Sequence, residues 1–448
     1  MLIGLILIGI FLIFAVLMYL GRLPALISLP LMAAALFLTG GAFHFGVRWA
    51  YPGSNTVVLL RNFLQVVIEE GTARLAGVII TIILGAVLAE LLKGSGISKA
   101  IIRWASELGG DNPTVICLLL TFATAVLFTS LGGLGAVIMV ATLVLPIMLS
   151  IGVSQVTAGG LFLLGLSLGG TFNPVNWQLY IKVLGLTQSQ VFAFALPFGG
   201  LFAVVCILFA IVHLRKGVSS LWALAEPTEE TEKVHPLALL TPVVPIILIL
   251  SFNIHNLAVK PLSPYYFPIN SALLIGIVFG AVTTYRRDGG NIKRLARSII
   301  EGVAASAPAV ALVIGIGMVL NAVMHPSVSG FMQPIIEHIM PRNSLIYVIG
   351  FSLFAPLALY RGPLNIWGMG SGLVAVMLAT GALAPTAIMG ALLSVGMIQG
   401  VCDPTNTHNA WLAGYLGTDV MVFTRRTLPY MWLLAVSGLI VAGFMFFE

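Results

Sequence analysis

Two short polar stretches interrupt strongly apolar segments of the chain: "GGTFNPVNW" at 169–177 and "GVCDPTNTHN" at 400–409. Each contains a proline, Pro174 or Pro404, which removes a backbone donor, and glycines before it that loosen a helix. Freed carbonyls, together with Asn, Thr and Asp oxygens, can bind a cation, while the N-terminal end of a half-helix favours an anion. The stretches therefore predict an ion or substrate site, and a simple proline kink is the alternative.

The composition indicates that this polar site lies in a membrane protein. Hydrophobic residues make up 59% of the 448 residues, charged residues 8%, and the mean hydropathy is +1.08. Apolar runs such as 2–20 and 420–447 are long enough to cross a bilayer as helices, which takes about 20 residues. Residues 2–20 are interpreted as a first span, because no basic region precedes them and no signal-peptide cleavage site follows. We therefore expect an all-α polytopic membrane protein.

Charge and motif content argue against several other classes. The net charge is +6, but the basic residues are scattered at predicted span ends, which indicates membrane topology rather than a nucleic-acid surface. Cys117, Cys206 and Cys402 stand alone without CxxC spacing, so neither a disulfide framework nor a zinc site is predicted. The sequence contains no P-loop, so ATP is not the expected energy source. We expect no cofactor and no nucleic-acid partner.

The polar stretches belong to an internal repeat with an offset of 230 to 231 residues. "LFTSLGGLGAV" (127–137) aligns with "ALYRGPLNIWG" (358–368), and "EEGTARLAG" (69–77) aligns with "IEGVAASAP" (300–308). The coinciding glycines, prolines and asparagines matter most, because apolar identities are common in membrane helices. The alignment pairs Gly132 with Gly362, Leu134 with Leu364, Gly160 with Gly390, Gly170 with Gly400, Pro174 with Pro404 and Asn176 with Asn406. Duplicated halves of this kind are typical of secondary transporters.

Each half is predicted to hold the same elements in the same order. The predicted boundaries are 1–213 for the first inverted repeat (hairpin about 114–150, broken helix about 156–185), 214–236 for a linker, and 237–448 for the second (hairpin about 344–382, broken helix about 386–414). The other predicted spans are 2–20, 24–42, 75–92, 190–213, 237–254, 265–285, 303–323 and 420–446. Amphipathic stretches at 95–111 and 327–341 predict interfacial helices.

The number of crossings decides how the halves are related. If each Gly-tipped pair is a re-entrant hairpin, each half crosses five times, which predicts about 10 transmembrane helices and an inverted second half. Two full crossings per pair is the alternative, and the sequence does not separate the two. Of the 21 Lys and Arg residues, this topology puts 14 on one side and 5 on the other, with Lys182 and Arg361 within the membrane. The positive-inside rule then predicts a plasma (inner) membrane protein with a cytoplasmic linker and both termini outside.

Four groups within or near the predicted site could do chemistry. The planar guanidinium of Arg361 suits a substrate carboxylate, or it reaches the interface and snorkels. Asp403 could bind a cation or exchange a proton, or it forms a structural pair with Arg361. His408 could relay protons, or a neighbour simply satisfies it. Glu90 and Lys93 end a predicted span, and snorkelling is the preferred interpretation of both.

The element order also resembles a known family. The opening "MLIGLILIGIFLIFAVLMYLGRLPALISLPLMAAALFLTGG", the "GGDNP" before the first hairpin and "GLSLGGTFNPVNWQLYIKVLG" are together similar to the ion transporter superfamily, nearest its citrate/proton symporter and related carboxylate branches. The resemblance implies re-entrant hairpins, a substrate site between their tips, and a homodimer with an elevator mechanism. It makes Ser130–Gly135 and Arg361–Asn365 the tips, and Thr171–Asn176 and Asp403–His408 the breaks. The first tip, "SLGGLG", and the second, "RGPLN", depart from the Ser-Asn-Thr tips of the dicarboxylate branch.

The predicted site residues follow from the repeat and the resemblance together. The expected substrate-binding residues are Ser130, Gly132, Gly133, Arg361, Gly362, Asn365, Asn173, Asn176, Asn406, Thr407 and His408. The expected cation-coupling residues are Asp403, Thr405, Asn406, Thr171 and Asn173, with a Na+ ion at Asp403, Asn406 and Asn173.

The leading functional hypothesis is a secondary transporter that imports a small organic anion together with H+ or Na+. A passive anion channel is one alternative, because broken helices suit a pore as well. An intramembrane enzyme is another, but it requires an HExxH motif or paired membrane aspartates, and only Asp403 lies clearly at depth. We therefore expect a non-enzymatic carrier whose partners are the anion, the coupling cation and the bilayer.

Overall fold

The computed structural model describes residues 1–20, 22–47, 53–110, 112–214, 234–259, 263–285, 290–368 and 370–447. Regular structure in these residues is entirely helical. Seven helices are long and apolar enough to cross a membrane, or up to nine if each sharply bent pair counts as one span. The prediction of an all-α polytopic membrane protein is confirmed.

The described residues of the first half form eleven α-helices. They are α1 (Leu2–Tyr19), α2 (Ala25–His44), α3 (Ser54–Asn62), α4 (Gly71–Ala73), α5 (Ala76–Gly94), α6 (Ile97–Leu108), α7 (Pro113–Phe128), α8 (Gly133–Ser150), α9 (Gln155–Thr171), α10 (Pro174–Leu184) and α11 (Gln188–Leu214). A π-helix over Phe63–Glu70 joins α3 to α4. Residues 54–73 lie outside the predicted spans but are helical, so one long helical segment precedes the predicted interfacial helix α6.

The second half repeats this order. Its helices are α12 (Val244–Val259), α13 (Ile269–Thr283), α14 (Asn291–Met324), α15 (Pro326–Ile339), α16 (Ser344–Phe354), α17 (Gly370–Thr380), α18 (Pro385–Cys402), α19 (Thr407–Tyr415) and α20 (Val420–Phe446). Short 3-10 helices cover Pro236–Leu240 and Ala355–Arg361. The span predicted from 237 begins only at 244, because the prolines of "TPVVP" (241–245) remove backbone donors.

Helix α14 crosses the helical segment that contains α4 and α5, and this crossing, called the α5–α14 crossing below, relates the two halves. A Cβ atom on Gly71 would lie 2.9 Å from the Cα of Met318, and a Cβ on Gly302 would lie 2.6 Å from the Cα of Val87. Gly71 and Gly302 differ by 231 positions, and so do Val87 and Met318. The two close contacts are therefore one contact seen from each half, and the helices run antiparallel. Boundaries at 213 and 237 remain a prediction, which this reciprocity supports.

The predicted topology can be tested by labelling. Ile292 is 85% exposed at the start of α14, and the native cysteines are buried, so a new thiol there should react without background. We expect Ile292→Cys and Ser220→Cys, the latter outside the described residues, to react with a membrane-impermeant maleimide only from the cytoplasm. Asn55→Cys, at the exposed start of α3, should react only from outside. Reaction of Ile292→Cys and Asn55→Cys from the same side would contradict the inverted arrangement.

Candidate functional site

Both predicted helix breaks are present, and both use the same local turn. The first lies between α9 and α10, whose axes are bent by 50°. Asn173 Oδ1 accepts a hydrogen bond from the backbone N of Val175 at 2.9 Å. In the second break, Asp403 Oδ1 accepts one from the backbone N of Thr405 at 2.8 Å. Such a turn, closed by an Asn or Asp side chain two residues before the donor, orients the chain around the intervening proline.

Side chains donate hydrogen bonds to the backbone carbonyls that each break leaves outside the helical ladder. In the first break Asn176 Nδ2 donates to Gly170 O at 2.7 Å, and Trp177 Nε1 donates to Thr171 O at 2.8 Å. These carbonyls were expected to be free to bind an ion. Each has at least one protein donor instead, because a buried carbonyl without a partner costs about 1–3 kcal/mol.

The second break is closed in a corresponding way. Asn406 Nδ2 lies 3.5 Å from Gln399 O, and Asn409 Nδ2 donates to Asp403 O at 2.9 Å. His408 Nε2 lies 3.0 Å from Gly400 O. His408 is 231 residues after Trp177, and both rings contact a carbonyl at the end of the preceding half-helix. The geometry thus favours a structural role for His408 over the predicted proton relay.

The two breaks lie against each other. A Cβ atom on Gly400 would meet Ser167 Oγ at 2.7 Å, so α9 and α18 approach closely there. Three residues earlier on α18, Met397 Sδ lies 3.9 Å from Thr171 Oγ1. These contacts run in opposite directions along the two helices, so the ends of α9 and α18 cross antiparallel. The polar groups predicted from two distant stretches are thereby brought to one place.

Side-chain hydrogen bonds hold the first hairpin tip against its neighbours. Asn173 Nδ2 donates to Phe128 O at 3.0 Å and to Leu131 O at 3.1 Å, which fastens the first break to this tip. Thr129 and Ser130 hydroxyls both donate to Pro242 O in the second half. Ser130 was predicted to bind substrate, but its hydroxyl is occupied and the residue is only 3% exposed.

What remains accessible at the first tip is backbone. Gly132 and Gly133 are exposed, and Gly133 has a φ of +81°, which an L side chain rarely adopts. Gly133 is the first residue of α8, so the backbone N–H groups of this helix start are not used within the helix. These two glycines leave backbone groups accessible at the tip, and their contact with a substrate stays a prediction.

The second tip has an irregular backbone and one buried amide. Tyr360 has a φ of +58°, and a Cβ on Gly362 would lie within 2.8 Å of Leu359 O, so the chain turns tightly here. Asn365 is 2% exposed, and its Oδ1 accepts a hydrogen bond from the backbone N of Trp367 at 2.9 Å. The predicted role of Arg361 falls on a side chain that lies outside the described residues.

Several buried polar atoms near the breaks and the second tip have no hydrogen-bond partner among the described residues. They are Asn365 Nδ2, Asn409 Oδ1 and Ser167 Oγ. A buried donor or acceptor of this kind costs about 1–3 kcal/mol, so its retention suggests that something else satisfies it. Ser167 and Asn409 were not among the predicted site residues. The only sequence signal for them was their position within one turn of a break.

Asp403 is the charged group at this site. Its side chain is fully buried, and Oδ1 also accepts from Thr405 Oγ1 at 2.6 Å. A buried carboxylate is stable only when a proton, a cation or a basic partner neutralises it. Among the described residues no group of three or more His, Cys, Asp and Glu side chains could hold a metal ion. A cation here would depend on Asp403 with neutral oxygens, as Thr171, Asn173, Thr405 and Asn406 were predicted to supply.

The structure gathers most of the predicted break residues into two groups. Thr171, Asn173 and Asn176 meet at the first break, and Asp403, Thr405, Asn406 and His408 at the second. Thr407 is exposed as the first residue of α19. Glu90 forms a 3.0 Å ion pair with Lys93 and lies near Gly135 of the first tip. Snorkelling of Glu90 and Lys93 stays a prediction.

Comparisons with known proteins bear on the fold. No protein-family model matches the chain, and no curated protein matches its sequence. Solved structures do resemble it in three dimensions, and two of them are transport proteins. The fold is that of known membrane transporters. The YdaH transporter of Alcanivorax borkumensis, whose topology is described as unusual, aligns with a TM-score of 0.65 over 94% of this chain and 98% of its own, at 14% identity.

The second structure is more distant. MtrF of Neisseria gonorrhoeae, described as illuminating a class of antimetabolite efflux pumps, aligns with a TM-score of 0.57 over 94% of each chain, again at 14% identity. At such identity the likeness establishes the fold and not the substrate. It supports the transporter architecture predicted from the sequence, but not the predicted membership of the ion transporter superfamily or its citrate branch.

Proposed function

We propose that this protein is a secondary active transporter that moves a small organic anion across the membrane with H+ or Na+. The observation that supports this most is the antiparallel meeting of two broken helices, with the buried carboxylate of Asp403 at one of them. Broken helices at mid-membrane are the common binding device of secondary transporters. The fold shared with two transporters is consistent with it.

An anion suits the groups that surround the breaks. The N-terminal ends of α10 and α19 carry partial positive charge. Helix α10 begins one residue after Asn173, and α19 begins four residues after Asp403. Asn365 Nδ2 adds an unused buried donor at the second tip. Arg361, next to this tip in sequence, is the cation proposed to contact a substrate carboxylate. Together these groups are donors and positive ends, which favours a carboxylate over a cationic substrate.

Coupling to a cation follows from the difference between the two breaks. Asn173 and Asp403 close the same turn, but Asn173 also donates two hydrogen bonds that fasten the first break to its hairpin. An ionised carboxylate cannot donate, so Asp403 can imitate Asn173 only after taking up a proton, or through a cation that bridges oxygens. We propose that this event changes the contacts of the second break and so links cation binding to transport.

The finer features of the proposal come from the sequence. They are uptake into the cell, a carboxylate substrate, and a plasma (inner) membrane location with a cytoplasmic linker. The elevator-type motion and the homodimer are implied only by the resemblance to the ion transporter superfamily. Substrate flux through a passive channel would not depend on a H+ or Na+ gradient. An intramembrane enzyme would need a second catalytic group beside Asp403.

Reconstitution into proteoliposomes tests the proposed function. Uptake of a labelled carboxylate panel is measured under an imposed pH gradient, an imposed Na+ gradient, or neither. We expect one gradient to drive accumulation above equilibrium, which a channel cannot do. Equilibration without accumulation under every gradient and in both directions would contradict the proposal.

Asn365→Asp tests the second tip as part of the binding site. The change keeps Oδ1, which accepts from Trp367 N, and removes the unused donor Nδ2. A second carboxylate near a bound anion should raise the apparent KM by about tenfold or more, equivalent to ~1.4 kcal/mol. Initial uptake rates over a range of substrate concentrations measure this.

A matched control is available in the same hairpin. Asn343 closes a similar turn at the start of α16, where its Oδ1 accepts from Ile346 N in an exposed position. Asn343→Asp should leave the apparent KM unchanged. Equal KM values for Asn365→Asp and the wild type would remove the second tip from the binding site.

A further inference from the structure

A basic pocket lies at the junction of α11 and α20, and none of the residues that line it belongs to either helix break. Its volume is roughly 650 Å³. Its lining combines cationic or polar side chains, here called the polar wall (His213, Arg425, Arg426 and Tyr430), with aliphatic side chains, here called the aliphatic wall (Leu208 and Leu433). It lies at the end of the spans where α11 stops and α20 starts, which the topology prediction places at the cytoplasmic surface.

The polar wall is built for an anion. Arg425 and Arg426 are exposed, and among the described residues neither lies within ion-pair distance of a carboxylate, since the ion pairs there are Glu90–Lys93 and Arg103–Glu107. Arg426 Nη1 lies 3.5 Å from His213 Nδ1, so a guanidinium and an imidazole face the same space. Neighbouring guanidinium groups bind phosphate well, because each presents a planar fork of donors.

Aromatic packing holds this wall in place. The ring of Phe209 contacts the rings of His213 and Tyr430 at centroid distances of 4.4 Å and 5.0 Å. The rings of His213 and Tyr430 are 5.5 Å apart. Tyrosine is common at the membrane interface, because its apolar ring can lie among acyl chains while its hydroxyl reaches a headgroup. The cluster therefore fixes a polar edge beside a lipid-facing surface.

The aliphatic wall indicates which source of phosphate the pocket accepts. Leu208 is 39% exposed and Leu433 is 49% exposed, although both lie in membrane-spanning helices. Apolar side chains exposed on such helices face acyl chains. Inorganic phosphate has no apolar surface to bury against these leucines. A phospholipid, in contrast, would place its phosphate at the arginines and its acyl chains along the leucines.

We propose that this pocket binds the phosphate headgroup of an anionic phospholipid. Basic pockets between membrane helices at the cytoplasmic surface are suited to such headgroups. Arg425 and Arg426 contact the phosphate, Tyr430 donates its hydroxyl to the headgroup, and Leu208 and Leu433 contact the chains. The site does not depend on the proposed transport function, and it joins α11 of the first half to α20 of the second through a lipid.

Native mass spectrometry of the full-length protein tests this proposal. The probes are dioleoyl-phosphatidylglycerol and dioleoyl-phosphatidylcholine, added separately to protein in detergent. We expect discrete phosphatidylglycerol adducts on the wild type, and at least about tenfold weaker binding in Arg425→Gln/Arg426→Gln. Arg425→Lys/Arg426→Lys keeps the charge and should retain part of the affinity, which also guards against a variant that does not fold.

The matched control removes two cations from the same predicted membrane side. Lys293 and Arg297 are exposed at the start of α14 and do not line this pocket. Lys293→Gln/Arg297→Gln should bind phosphatidylglycerol as the wild type does. An equal loss in both double variants would overturn the proposal, because general charge attraction would then explain binding.

Two further outcomes would also overturn it. Equal binding of phosphatidylcholine and phosphatidylglycerol would mean that the arginines do not select an anionic headgroup. Displacement of phosphatidylglycerol by millimolar inorganic phosphate would assign the pocket to a soluble anion. Retention of the lipid in excess phosphate is the expected result.

Discussion

Asp403→Asn is expected to lower gradient-driven accumulation of substrate by at least about tenfold, or ~1.4 kcal/mol, while exchange of substrate across the membrane partly survives. The turn at this position needs only an oxygen that accepts from Thr405, and Asn173 forms the same turn with Val175 in the first half. The substitution therefore keeps the local fold and removes the ionisable group. Accumulation and counterflow are measured in parallel in proteoliposomes.

Asp419→Asn is the matched control for this experiment. Asp419 begins α20, and its Oδ1 accepts from Met421 N in an exposed position. The same chemical change there should leave accumulation and its dependence on pH and Na+ unaltered. If Asp403→Asn also accumulates substrate with an unaltered pH and Na+ dependence, Asp403 is structural and coupling occurs elsewhere.

Gly302→Val is expected to destabilise the protein by about 3 kcal/mol, the upper part of the usual range for overpacking. A Cβ at this position would lie 2.6 Å from the Val87 Cα and 2.7 Å from its backbone N. Backbone atoms cannot rotate away as a flexible side chain can, so α14 would have to move from α5. Thermal unfolding of the purified protein in detergent measures the change.

Because of the internal repeat, the same substitution can be tested at the equivalent position in the first half. Gly71→Val should cost a similar amount, because its Cβ would lie 2.9 Å from the Met318 Cα in the reciprocal contact. Gly9→Val in α1 is the control, since a Cβ there meets no atom within 4 Å and valine favours a helix over glycine. Equal stability of all three variants would show that the α5–α14 crossing is not closely packed.

The sequence predicted where the helices of the proposed transport site break, but not which partners its side chains contact. Pro174 and Pro404 were recognisable because a proline after glycine disrupts a helix through its own covalent structure. What the surrounding side chains do depends on partners far along the chain. Ser130, predicted to contact substrate, donates instead to Pro242 O, 112 residues away. Neither residue type nor spacing could indicate that partner.

The sequence by itself determined the membrane class, the order of the helices, and the position of both breaks. These features are set locally, by the length of apolar runs and by proline and glycine within them. Residues 54–73 were missed because Arg61, Gln65, Glu69 and Glu70 interrupt the apolar pattern, although the chain there is helical. Polar residues lower the hydropathy of a segment without preventing a helix.

Only the tertiary structure decided which polar groups are occupied and which remain unused. Asn173 and Asn365 looked alike in sequence, yet Asn173 Nδ2 donates to Phe128 O and Leu131 O while Asn365 Nδ2 has no partner among the described residues. The contact of Gly71 with Met318, and its counterpart between Gly302 and Val87, likewise required two helices from different halves to meet. Satisfaction of a hydrogen bond and close packing depend on distances between elements, and a linear sequence contains those distances only through the fold.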